Sequence, residues 1–126
     1  MTRYLLYSHD TYGLGHFRRS ALLASGLVGA DVDNEVLIVT GSPRAQSFRL
    51  PGRVDTVKLP AATKDAAGGY QPRKLRGTID QLVRMRSSLI TAAVASYEPD
   101  AIIVDHAPIG MGGELLPMLD EVSRLH

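Results

Sequence analysis

Residues 8–20, SHDTYGLGHFRRS, gather two histidines, an aspartate, two glycines and two arginines directly after the apolar run YLLY. Three chemistries use such a set. The first is an anion cradle: Gly13 and Gly15 permit a tight turn from strand into helix and leave backbone amides at a positive helix end. It is not a dinucleotide fingerprint, because Arg18 stands at the third glycine position and the second strand, IVTGS, ends without a ribose-binding carboxylate. Nor is it a nucleotide-hydrolase phosphate loop, since His16 and Phe17 occupy the places of the required lysine and hydroxyl residue. The second chemistry is a metal site, for which His9, Asp10, His16, Asp105 and His106 are all ligand types, in a spacing that matches no known cage. The third makes His16 a general base. A helix amino end disfavours imidazolium and so keeps the ring neutral, as a base must be. Asp105 could then orient that ring and stabilise its transient positive charge.

These residues meet only if the elements carrying them are neighbours. The chain reads as a βαβαβ plan. RYLLYS is a first strand, and a helix runs from about His16 to Val28 with Phe17, Ala21, Ala24 and Val28 on one face and Gly29 as its stop. EVLIVT is a buried parallel strand, and GSPRAQSFRL starts a short helix on Ser42 and Pro43. RVDTVKLP alternates as a third strand. Residues 60–76 read as a long polar, glycine-rich loop, in which Arg73, Lys74 and Arg76 form a basic run fit for solvent or for an anion. An amphipathic helix comes next, with Ile79, Leu82, Val83, Leu89, Ile90, Ala93, Val94 and Tyr97 on its apolar stripe, ending before Pro99. AIIVD is expected as a central strand, and the final segment as a helix with Leu115, Leu119 and Val122 inward and Pro117 in its first turn. In the usual doubly wound α/β order, strand order reverses between the first strand and AIIVD, which opens a crevice at their carboxyl ends. His9, Asp10 and His16 then face Asp105 and His106 across it. Each also has a local structural use: His16 can finish a helix start, Asp105 can cap the adjoining loop or helix, and the glycines can serve the turn alone.

Composition narrows the partners. With 126 residues and 44% hydrophobic content the chain supports one domain with a core. Fourteen basic against thirteen acidic residues leave a formal charge of +1, so bulk charge gives no reason to expect nucleic acid or a membrane surface. The absence of cysteine excludes disulfides and thiolate metal sites and suits a reducing compartment. No segment reaches membrane-spanning length and the first residues lack a signal-peptide pattern, so a cytoplasmic location is expected. A doubly wound sheet normally continues past such a last helix, so residues 1–126 read as part of a longer protein.

Taken together, YSHDTYGLGHFRRSALLA, FRLPGRVDTVKLP, GGYQPRKLR, VDHAPIG and GELLPMLDE resemble the amino-terminal, Rossmann-like domain of GT-B glycosyltransferases, in a branch related to family 28. That family includes the enzyme adding N-acetylglucosamine to a lipid-linked peptidoglycan precursor. The resemblance implies an inverting transferase that moves a sugar from a nucleotide-sugar cosubstrate to an acceptor hydroxyl. It implies no metal and no resident cofactor. The acceptor, a small molecule, glycan or lipid-linked species, would bind mainly to this domain and the donor to a carboxyl-terminal one; the fragment alone is expected to be inactive, and peripheral membrane attachment is compatible with it. Onto Gly15 and His16 falls the family's loop-ending glycine and base histidine, and Asp105 is nearest to the aspartate that supports such a base in plant-type relatives. His9, Asp10, Gly13, Arg18, Arg73 and His106 are the accompanying substrate-binding candidates. The loop departs from the lipid-precursor enzyme's GGTGGH by carrying His9, Asp10 and Tyr12. Two other readings stand beside this one: a metal-dependent hydrolase or deacetylase using His9, Asp10 and His16, and a noncatalytic flavodoxin-like binding domain.

Overall fold

The structure, a computed structural model, describes residues 1–8, 15–43, 45–105 and 115–125; the side chains of residues 15, 16, 46, 116, 121 and 123–125 lie outside the description. Four strands form one parallel sheet: β1 (Arg3–Ser8), β2 (Glu35–Thr40), β3 (Val54–Lys58) and β6 (Ala101–Val104), in the order β3-β2-β1-β6. Between β3 and β6 come β4 (Ala62–Lys64), β5 (Tyr70–Pro72) and the helix α2 (Ile79–Tyr97). Helix α1 (Gly15–Ala30) joins β1 to β2, and α3 (Leu116–Leu125) ends the chain.

Period-two alternation along β1 divides the core between the two faces of the sheet. Leu6 packs with Phe17, Ala21, Ala24 and Val28 of α1 and with Val36 and Ile38 of β2. Leu5 and Tyr7 point the other way, against Ile90 of α2, Met118 of α3, and Val39, Leu59 and Leu115. With helices on both faces β1 is central, and its Leu5 is fully buried. Each such leucine contributes about 1.5–3 kcal/mol of burial. Ala21 and Ala24 present only a methyl group to the sheet, so α1 can lie close to it.

Several sequence expectations need correction. Helix α1 passes through Gly29 to Ala30, and the turn after it is made by polar side chains. Asp31 Oδ1 accepts from the Asp33 amide at 2.9 Å, while Asn34 Nδ2 donates to the Leu27 carbonyl at 2.9 Å. Arg53 reinforces this end, donating to the carbonyls of Val28, Asp31, Val32 and Asn34, where a cation suits the negative helix terminus. The helix expected on Ser42 and Pro43 is a 3₁₀ turn over Ala45–Ser47. Within the stretch expected as a loop, β4 and β5 pair as an antiparallel hairpin, its turn held by Asp65 Oδ1 accepting from the amides of Ala67 and Gly69, both at 2.9 Å. Leu89, expected on the buried stripe of α2, is 40% exposed. Strand β6, expected to be central, is an outer strand of the sheet among the described residues, with every residue partly exposed.

Helix α2 starts and stops as its sequence dictates. Thr78 Oγ1 accepts from the Gln81 amide at 3.2 Å and Gln81 Oε1 accepts from the Thr78 amide at 2.9 Å, a complete capping box. At the other end Glu98 turns left-handed, with φ 54°, immediately before Pro99. Among the described residues no helix is long and apolar enough to cross a membrane.

Candidate functional site

The parallel order puts the ends of all four strands, Ser8, Thr40, Lys58 and Val104, along one edge of the sheet. Because α1 comes after β1 and returns to a parallel β2, its amino end lies at that same edge. The strand order reverses at β1, which has β2 on one side and β6 on the other, and an open α/β sheet takes its ligand at such a point.

Asp105 extends the β6 ladder by one bond, its amide donating to the Tyr7 carbonyl at 3.0 Å. This fixes the carboxylate beside the end of β1. There Arg19 Nη1 lies 3.0 Å from Asp105 Oδ1, which ties the first turns of α1 to the end of β6. The side chain of Asp105 is 14% exposed and that of Arg19 68%. His16 is the second residue of α1 and stands one turn before Arg19; its side chain is outside the described residues. Gly15 opens the helix. His9, Asp10, Gly13 and His106 lie outside the described residues. Arg18 is exposed on α1. Ser8 Oγ, fully buried at the end of β1, has no hydrogen-bond partner among the described residues.

The metal reading rests on side chains of which all but Asp105 fall outside the description; among the described residues no three histidine, aspartate or glutamate side chains gather around a point.

Arg73 borders a cavity of about 550 Å³ on the β2–β3 side of the same edge, together with Lys58, Lys74 and the apolar Pro43, Leu75 and Met85; neither Arg19 nor Asp105 is among its described lining residues. Sequence reasoning singles out Arg73 but not Lys58, which closes β3, nor the buried Arg86 behind the cavity. Arg86 is fully buried, donating from Nη1 to the Pro60 carbonyl at 2.8 Å and from Nη2 to the Tyr7 hydroxyl at 3.1 Å. The signal for it is in the spacing. Leu82, Arg86 and Ile90 are four apart and form the buried line of α2, so a lone arginine on an apolar stripe marks an internal anchor.

No protein-family model matches the chain, and no curated protein does. A search of solved structures finds a UGT transferase from Siraitia grosvenorii in complex with UDP, at a TM-score of 0.58 and 16% identity. The match covers 99% of this chain and 26% of that one, so the chain spans about a quarter of the length of the structure it resembles. At that identity the likeness concerns the fold, a parallel α/β sheet consistent with a Rossmann-like half of a GT-B glycosyltransferase.

Proposed function

We propose that this chain is the acceptor-side half of an inverting glycosyltransferase, with His16 as the general base. The observation that carries the reading is the bond between Arg19 and Asp105, which brings the amino-terminal turns of α1 against the carboxylate at the end of β6. The whole-chain likeness to a transferase that was solved with UDP supports the same class. The finer assignment, to the family-28-related branch, rests on the sequence motifs.

In this reading the acceptor hydroxyl lies at the start of α1. The neutral imidazole takes its proton, the hydroxyl oxygen forms a bond to the anomeric carbon from the face opposite the diphosphate, and the carbon–diphosphate bond breaks. The electron pair leaves with the nucleoside diphosphate, and the proton stays on the ring. Asp105 stabilises the resulting imidazolium through its Oδ2, while Arg19 holds Oδ1 and so fixes the carboxylate in place. The backbone amides after Gly13 and Gly15 and the Arg18 side chain are assigned to acceptor charge, with His9, Asp10 and His106 lining the crevice. The nucleotide sugar is assigned to a carboxyl-terminal domain.

The test is nucleoside-diphosphate release by the full-length protein. His16→Ala is expected to lower kcat about 10²–10⁴-fold with little change in the KM for donor, the size of a lost general base. Asp105→Asn should cost less and shift the acidic limb of the pH profile. Unchanged turnover in His16→Ala overturns the base assignment.

A further inference from the structure

We propose that the cavity bounded by Lys58, Arg73 and Lys74 is a binding site for an organic anion with an apolar body. Three cations from separate points of the chain reach one cavity: Lys58 at the end of β3, and Arg73 and Lys74 directly after β5. Among the described residues no carboxylate lines it. An anion placed there meets Arg73 and Lys74 from one side and Lys58 from another, and each contact is attractive. The remaining wall, which includes Pro43, Pro60, Leu75 and Met85, is mostly apolar, which suits a hydrocarbon portion next to the charged group. Its volume of about 550 Å³ lies within the ~300–1,000 Å³ usual for small-molecule sites.

The cavity is also built rather than incidental. Arg73 is positioned by the hairpin, its amide donating to the Ala61 carbonyl at 2.9 Å. Next to Ala61, the Pro60 carbonyl accepts from Nη1 of the fully buried Arg86 at 2.8 Å, which fixes this part of the wall from behind. The Lys58 ammonium donates to the Leu59 carbonyl, which restrains it at the rim. A ligand that enters therefore meets side chains whose backbones are already in place, and little ordering cost remains. The binding claim stands apart from the transfer reading.

The probe is octyl phosphate, titrated calorimetrically into the 126-residue chain below its micellar concentration, with octanoate, octyl glucoside and inorganic phosphate as comparators. Saturable binding of octyl phosphate is expected, weakened at least tenfold by Arg73→Glu with Lys74→Glu. It should change less than twofold with Arg49→Glu, whose neighbours Phe48 and Leu50 pack on the α1 side of the sheet. Octyl glucoside and inorganic phosphate should each bind at least tenfold more weakly, and the ratio of octyl phosphate to octanoate tells a phosphate from a carboxylate ligand. Circular dichroism verifies folding of the double variant, and Lys58→Gln gives the same readout with a milder change. Absence of saturable binding, indifference to the charge reversals, or equal affinity for octyl glucoside or for inorganic phosphate overturns the proposal.

Discussion

Arg86 donates from Nη2 to the Tyr7 hydroxyl at 3.1 Å across 79 positions of sequence, and both side chains are almost wholly shut off from water. The bond fastens the middle of α2 to the carboxyl end of the central strand. Through Nη1 the same guanidinium holds Pro60, so one side chain joins the sheet, the helix and the segment leading into the hairpin. The position of the basic cavity relative to the crevice derives from that junction.

Removing the guanidinium leaves a part-buried carbonyl and a buried hydroxyl each short of a bond. Arg86→Met is expected to lower the unfolding free energy by about 2–4 kcal/mol, and Tyr7→Phe by about 1–2 kcal/mol. In urea titrations the double variant should cost less than the sum, since one bond is counted in both. Arg86→Met should also speed hydrogen exchange at the Arg73 amide.

Gly77 stands where a β-carbon would come within 2.2 Å of Gln81 Oε1, the acceptor of the capping box. Gly77→Ala is therefore expected to push the amide aside and cost roughly 0.5–1 kcal/mol. In a Gln81→Ala background the same change should be neutral or slightly stabilising, because only the entropy of the unfolded glycine remains in play. A denaturation cycle on the four proteins reads the difference.

At the opposite edge of the sheet the Tyr97 phenol is pushed up to about 12 from 10.0, first by burial and then by the negative charge of Glu35. The folded protein thus holds a proton that the unfolded chain releases. Its contribution to stability is present in full below about pH 10 and declines as pH rises towards 12. Tyr97→Phe should flatten that decline, and in an ultraviolet titration it should remove one tyrosine ionisation at high pH.

The pair of Arg19 and Asp105 is a positional device more than a stabilising one, since the arginine is 68% exposed. A double-mutant cycle on Arg19→Ala and Asp105→Asn should give a coupling no larger than about 1 kcal/mol at low salt, shrinking in concentrated salt. A coupling that survives high salt would mean that the pair is sealed from solvent.

The sheet strands and both long helices are legible in the residues because their signals are local and strong. EVLIVT is apolar on both faces, and the stripe of α2 repeats at helical spacing between a capping box and a proline. The hairpin of β4 and β5 is not legible. Its strands are three residues each, and what pairs them is backbone bonding and the Asp65 turn rather than an apolar pattern. Arg86 is read only in part for a related reason: its spacing puts it on the buried line of α2, but its charge argues for solvent, and acceptors that make burial tolerable, Tyr7 and Pro60 among them, are distant in sequence.

By itself, then, the order of residues determined the four strands of the main sheet and the two long helices, because period and propensity act over a few neighbouring positions. Tertiary structure alone decided that Arg19 meets Asp105 and that Lys58 shares a cavity with Arg73. Those encounters depend on strand order and crossover, where distant segments are placed by the joint packing of both sheet faces, and no short stretch of sequence carries that information.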